Sequence, residues 1–117
     1  MNVIGFGGVF WRSRNINELK KWYSEVLGIT LDNEWNGTTL PSQEGDATIF
    51  SFFKEDNDYF PKEQQVMLNF QVEDMSECLK HLKELGIPLL KETEKSEFGT
   101  FTWIADPEGR WIELWEK

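Results

Sequence analysis

Apolar and polar positions change period several times along the chain, and each change marks an element. Residues 3–12 are aromatic, β-branched and glycine-rich, which predicts a strand. Apolar residues then recur at Ile16, Leu19, Trp22, Tyr23, Val26 and Leu27, the stripe of an amphipathic helix. Asn15 stands before it as an N-cap, with Glu18 as its partner in a capping box. Gly28 ends it as a left-handed residue. From Ile29 the pattern predicts short strands, broken at Asn36-Gly37 and over 41–45, with a further strand over 48–53. Residues 54–65 are polar and acidic and read as a solvated linker.

The pattern then returns. Residues 66–72 predict a strand, and Asp74 caps a helix with Glu77 as its partner. Met75, Cys78, Leu79, Leu82 and Leu85 form the helical stripe, Gly86 ends it, and Ile87-Pro88 leads into another strand. Residues 98–105 and 110–115 flank Asp106-Pro107-Glu108-Gly109, where the positions of Pro and Gly suit a type I turn. Asn15 and Glu18 precede Asp74 and Glu77 by 59 positions, and Leu27-Gly28-Ile29 precedes Leu85-Gly86-Ile87 by 58. Such a repeat predicts one α+β domain over 1–117, made of two tandem βαβββ modules, with module one at 1–54, the linker at 55–65 and module two at 66–117.

Composition narrows the partners. With 12 Lys and Arg against 21 Asp and Glu the net charge is −9, which disfavours nucleic acid and anionic membranes. A neutral or cationic small molecule suits it better. The single cysteine excludes an internal disulfide and a cysteine metal cage, and the single histidine excludes any site that needs two. No apolar stretch is long enough for a membrane span, and 1–11 lacks a basic n-region and a cleavage site, so the expected location is cytoplasmic. Gly5-Phe6-Gly7-Gly8 is not followed by a helix start and is not a dinucleotide loop.

Two stretches resemble a known family. Trp22-Tyr23-Ser24-Glu25-Val26-Leu27-Gly28 is similar to the helix signature of the glyoxalase/bleomycin-resistance/extradiol-dioxygenase superfamily, the vicinal oxygen chelate proteins. Asp106-Pro107-Glu108-Gly109-Arg110-Trp111-Ile112-Glu113-Leu114 is similar to its C-terminal signature, and the resemblance covers essentially the whole chain. It implies an open mixed sheet whose modules curl as half-barrels around a cleft, and a homodimer. It implies no single activity, because members include lyases, isomerases, dioxygenases and antibiotic-sequestering proteins, so function must come from the site.

Metal-using members hold a divalent ion at positions that correspond here to Gly8, Phe50, Met67 and Glu113. Only Glu113 is a fitting ligand, since glycine and phenylalanine offer no donor and a thioether is too soft. No metal and no other cofactor is therefore expected. Glu113 is instead the counter-charge for a cation, a general acid or base, or a relic of the motif. Arg12 shares strand parity with Gly8, which the resemblance places at the cleft, and would bind an anion, pair with Glu113 or reach solvent. The matching positions also turn Phe50, Phe52, Met67, Asn69, Phe101, Trp103 and Trp111 inward. Val9, Trp11, Leu68, Phe70, Val72, Ile112 and Leu114 would pack beneath the helices, and His81 would lie on the flank of the second helix, away from the cleft.

An aromatic inner face with few polar groups suits the stacking of flat ligands, although aromatics also fill a small barrel. The leading expectation is a metal-free homodimer that sequesters an aromatic small molecule, with a cationic one matching the acidic charge. The alternatives are an enzyme (a metal-dependent lyase or dioxygenase, or a metal-free isomerase using Glu113) and a partner-binding protein whose cleft is only a packed core.

Overall fold

A computed structural model describes residues 1, 8–41, 44–45 and 48–117. Helix α1 spans Ile16–Leu27. The Asn15 side chain accepts from the Glu18 backbone N–H at 3.2 Å and donates to the Glu18 carboxylate at 3.3 Å. Gly28 closes the helix at φ 68°, where a side chain would be strained, and its N–H donates to the carbonyl of Ser24. The Ile29 N–H reaches back to Tyr23, which completes a Schellman ending. Helix α2 spans Met75–Glu84 and repeats the design, with Asp74 accepting from the Glu77 N–H and Gly86 at φ 71°. Both caps and both glycine stops therefore lie where the sequence expects them. Neither helix is long and apolar enough to cross a membrane.

The strands are β1 (Leu68–Gln71), β2 (Glu94–Ser96), β3 (Gly99–Ala105) and β4 (Trp111–Glu116). They form one sheet in the order β1-β4-β3-β2, with β1 parallel to β4 and the other pairs antiparallel. The hairpin joining β3 to β4 is the expected type I turn, closed by the Gly109 N–H on the carbonyl of Asp106 at 2.9 Å.

Alternation along β3 and β4 sorts side chains onto two faces. On one face Ile104, Ile112 and Leu114 are all but inaccessible to solvent and pack with Leu19, Tyr23 and Val26 of α1 and Met75 and Leu82 of α2. Phe70 and Val72 join from the edge, as parity predicts. Burying these side chains supplies the main driving force for folding, on the order of 1.5–3 kcal/mol for each large one. His81 projects from the flank of α2, away from the other face. Its Nε2–H donates to the Val26 carbonyl at 3.0 Å and ties the two helices together.

The first half departs from the expected pattern. Among the described residues all four strands come from the second half. Residues 3–7 lie outside the described residues, and 8–12 and 48–53 form no strand among them. Residues 32–37 make a tight turn in place of strands, with the Asp32 N–H on the carbonyl of Gly37 and Asn36 at φ 58°. Alternation alone does not make a strand stable without a neighbour to complete its hydrogen bonds. Val9 and Trp11, expected beneath the helices, are partly or largely exposed, although the Trp11 ring stands 6.0 Å from Tyr23. The acidic stretch is solvated over 54–58, but Tyr59, Phe60, Pro61 and Gln64 fold back and are half-buried.

Candidate functional site

On the sheet face opposite the helices, strand register sets three side chains in one row. Asn69 is opposite Glu113, and Glu113 is opposite Trp103. Glu113 is 7% exposed and Trp103 is 0% exposed. A buried carboxylate must be met by hydrogen-bond donors. Asn69 Nδ2 donates to Oε1 at 2.7 Å, Trp103 Nε1 donates to Oε2 at 2.8 Å, and the Tyr59 hydroxyl donates to Oε2 as well.

Tyr59 arrives from the acidic stretch. Its N–H donates to Asn57 Oδ1 at 2.8 Å in a local turn, and its ring stands edge-on to Trp103 at 5.9 Å and to Phe53 at 5.4 Å. Burial, and then the hydrogen bond to Glu113, push its phenol well above the ordinary range. Lys91 Nζ lies over both rings, 4.0 Å from the Trp103 centroid and 4.4 Å from that of Tyr59. Lys91 is placed by its neighbour, since the Leu90 N–H donates to the Trp103 carbonyl at 2.9 Å. Beyond Trp103 the aromatic row continues. The Phe101 ring is stacked 6.4 Å from Trp103 and 5.5 Å from Trp115.

Of the expected site residues, Asn69, Phe101, Trp103 and Glu113 come together. Met67 is half-buried just before β1. Trp111 has the parity of Glu113 but lines a different recess of about 480 Å³, with Trp11, Tyr23, Gln64 and Arg110. Its backbone is held by Gln64, whose Oε1 accepts from the Trp111 N–H at 2.8 Å and whose Nε2 donates to the Trp111 carbonyl at 2.9 Å.

Phe50 and Phe52 differ from the expectation, and Arg12 takes one of its alternatives. Phe50 and Phe52 are 73% and 87% exposed and form an edge-to-face pair with each other, because among the described residues no strand pairs with this segment to turn them inward. Arg12 reaches solvent, the third of its expected alternatives, and makes no ion pair with Glu113 among the described residues. Its carbonyl accepts from Arg110 Nη2, which holds it at the β3–β4 turn.

Sequence reasoning misses Tyr59 and Lys91. Tyr59-Phe60-Pro61 does interrupt an otherwise charged run, and that apolar break was the available signal. Lys91 carries none.

Both oxygens of Glu113 are thus turned to N–H and O–H groups. That set satisfies a carboxylate and offers a divalent ion no second carboxylate and no imidazole. Among the described residues no cluster of three His, Cys, Asp or Glu side chains could hold a metal. The divalent ion used by some members of the resembled superfamily does not fit this donor set.

The turn preceding β4 is a second polar cluster. Asp106 is buried, and its Oδ1 accepts from the N–H groups of Glu108 and Arg110 at 2.8 and 3.0 Å. Its Oδ2 accepts from the Tyr23 hydroxyl. Glu108 in turn accepts from the Ser13 hydroxyl, and this bond is the main reason its carboxyl lies below the ordinary range. The cluster holds elements together, and its Tyr23, Glu108 and Arg110 line the recess beside Trp111.

Residues 8–115 match the glyoxalase-like domain family, and the chain belongs to that family. The fold recurs in solved structures of low identity. A glyoxalase/bleomycin resistance/dioxygenase domain from Frankia sp. EAN1pec is 20% identical, with TM-score 0.55 over 89% of this chain and 84% of that one. A lactoylglutathione lyase from Agrobacterium tumefaciens is 17% identical, with TM-score 0.57 over 89% and 87%. An antibiotic binding protein from Streptomyces sp. CB03234 is 19% identical, with TM-score 0.54 over 86% and 84%. No curated protein matches the sequence.

Proposed function

We propose that this chain is a metal-free small-molecule-binding protein that holds a flat aromatic ligand against the inner face of its sheet. The observation that carries the reading is the Asn69–Glu113–Trp103 row, where three hydrogen-bond donors meet a lone carboxylate beside stacked Trp103, Phe101 and Trp115. Such a surface has the stacking area and the few directed polar groups that small-molecule sites use. It lacks the paired ligands that metal-assisted lyase or dioxygenase chemistry needs. The antibiotic-binding neighbour of similar fold supports the same direction. A cationic ligand group would take the place of Lys91 Nζ over Trp103.

The reading includes a homodimer. Phe10, Ile49, Phe50 and Phe52 are largely exposed in the single chain, and a second copy is a natural cover for them. Light scattering should give twice the chain mass at micromolar concentration, and a stable monomer would remove this part of the reading. Ligand binding is tested by tryptophan fluorescence against a panel of flat aromatic compounds, cationic and neutral. Saturable quenching by at least one of them is the expected result. A panel that leaves the emission unchanged overturns the reading and favours a cleft that is only packed core.

A further inference from the structure

We infer that the ligand of this site is a hydroxylated aromatic ring, and that Tyr59 is a built-in occupant that such a ligand displaces. This rests on the reading of the inner face as a ligand site and gives that ligand a chemical class. The argument is the fit of Tyr59 itself. A phenol ring lies edge-on to Trp103, its hydroxyl donates to Glu113 Oε2, and the Lys91 ammonium sits over its face. Each contact reads a different property. Trp103 reads a flat ring, Glu113 reads a hydroxyl proton, and Lys91 favours an electron-rich face.

Tyr59 is also held in a way that lets it leave. It is half-buried, and residues 54–58 before it and 62–63 after it are exposed. Its backbone contact is to Asn57 in its own segment, so the segment can move without breaking the sheet ladder. Glu113 keeps its bonds from Trp103 and Asn69 when Tyr59 departs, and an incoming hydroxyl restores the third.

The experiment is calorimetric titration with p-cresol and toluene, which differ by one hydroxyl, into the wild type and two variants. In Tyr59→Ala the place of the phenol against Trp103 and Glu113 is vacated. This variant should bind p-cresol at least about tenfold more tightly than toluene, because a hydrogen bond to a charged acceptor is worth that much. It should also bind p-cresol about tenfold more tightly than the wild type, which must first expel Tyr59. Equal binding of p-cresol and toluene overturns the hydroxyl reading while leaving aromatic binding intact. Binding by the variant with none by the wild type overturns displacement and makes Tyr59 permanent core. No binding of p-cresol by a variant that still unfolds cooperatively overturns the inference entirely. Should Tyr59→Ala fail to fold, Tyr59→Phe carries the test. It removes only the competing hydroxyl and should raise p-cresol affinity severalfold over the wild type. An unchanged affinity overturns the inference.

Discussion

The Tyr23 hydroxyl donates to Asp106 Oδ2 at 3.1 Å, joining α1 to the β3–β4 turn across 83 positions of sequence. Tyr23 lies in the helix signature and Asp106 opens the C-terminal one. The two stretches that mark the family therefore meet in space, and what they share is a structural bond. Asp106 also receives the Glu108 and Arg110 N–H groups, so one carboxylate shapes the turn and anchors the helix.

Replacing either partner should cost stability unequally. Tyr23→Phe removes one hydrogen bond to a charged group and should cost about 1.5–3 kcal/mol. Asp106→Ala strands the phenol and two N–H groups and should cost more, about 3 kcal/mol or above. Urea denaturation of both variants checks this. Equal losses would mean that Asp106 acts through Tyr23 alone.

The chain has two tyrosines, and both phenols are raised above their usual value of about 10. For Tyr23 burial is the main cause, followed by the Asp106 charge. For Tyr59 burial is again first, followed by the bond to Glu113. The folded state thus keeps protons that the unfolded chain gives up. This stability is complete below about pH 10 and is lost as pH rises further, towards the raised values. An alkaline absorbance titration should show no tyrosinate step near pH 10, only a late rise that coincides with unfolding. An ordinary step of one tyrosine would place Tyr59 away from Glu113.

Acid should act through Glu108. Its carboxyl is lowered chiefly by the Ser13 hydroxyl. The resulting stability is present above the ordinary glutamate value of about 4.3 and is lost as pH falls through the lower folded value. Ser13→Ala should move the acid-unfolding midpoint upward when followed by circular dichroism, and an unmoved midpoint would contradict it.

At the site, Trp103→Ala empties a fully buried position and should cost about 3–5 kcal/mol, which makes it a stability variant before it is a binding one. Glu113→Gln is the sharper probe. An amide has one acceptor where the carboxylate has two, so one of the donors from Tyr59, Trp103 or Asn69 meets another N–H. A loss of about 1–3 kcal/mol is expected in thermal unfolding. A neutral result would mean that the donors point elsewhere in solution.

Chelation should leave the protein unchanged. Glu113 has no second carboxylate or imidazole beside it among the described residues, so dialysis against EDTA should not shift Tm, and elemental analysis should find no stoichiometric Ni, Zn, Mn or Fe. About one such ion per chain would contradict the metal-free reading.

The legible parts of this molecule are those fixed by short-range rules. Asn15 and Asp74 cap because their side chains meet an N–H three residues on, and Gly28 and Gly86 stop helices by their own backbone freedom. Parity on β3 and β4 separates Trp103 and Glu113 from Ile104, Ile112 and Leu114, because each strand has a partner that gives parity a meaning. Phe50 and Phe52 alternate equally well, yet no neighbouring strand exists among the described residues to orient them. Tyr59 reaches Glu113 across 54 positions, and no local pattern encodes which ring will cover a distant carboxylate.

Gln64 has a consequence for how β1 finds its place. A shift of one residue between β1 and β4 would turn every side chain to the wrong face, and the apolar pattern forbids it. A shift of two keeps the faces and is not forbidden by pattern, least of all for a strand of four residues. Gln64 removes that ambiguity. Its side-chain amide grips both backbone groups of Trp111, the residue just before the Leu68–Ile112 pair, and its Nε2 also reaches the Val66 carbonyl at 2.9 Å. The chain approaching β1 is clamped to one rung before the ladder begins, and the alignment that sets Asn69 beside Glu113 follows from that rung.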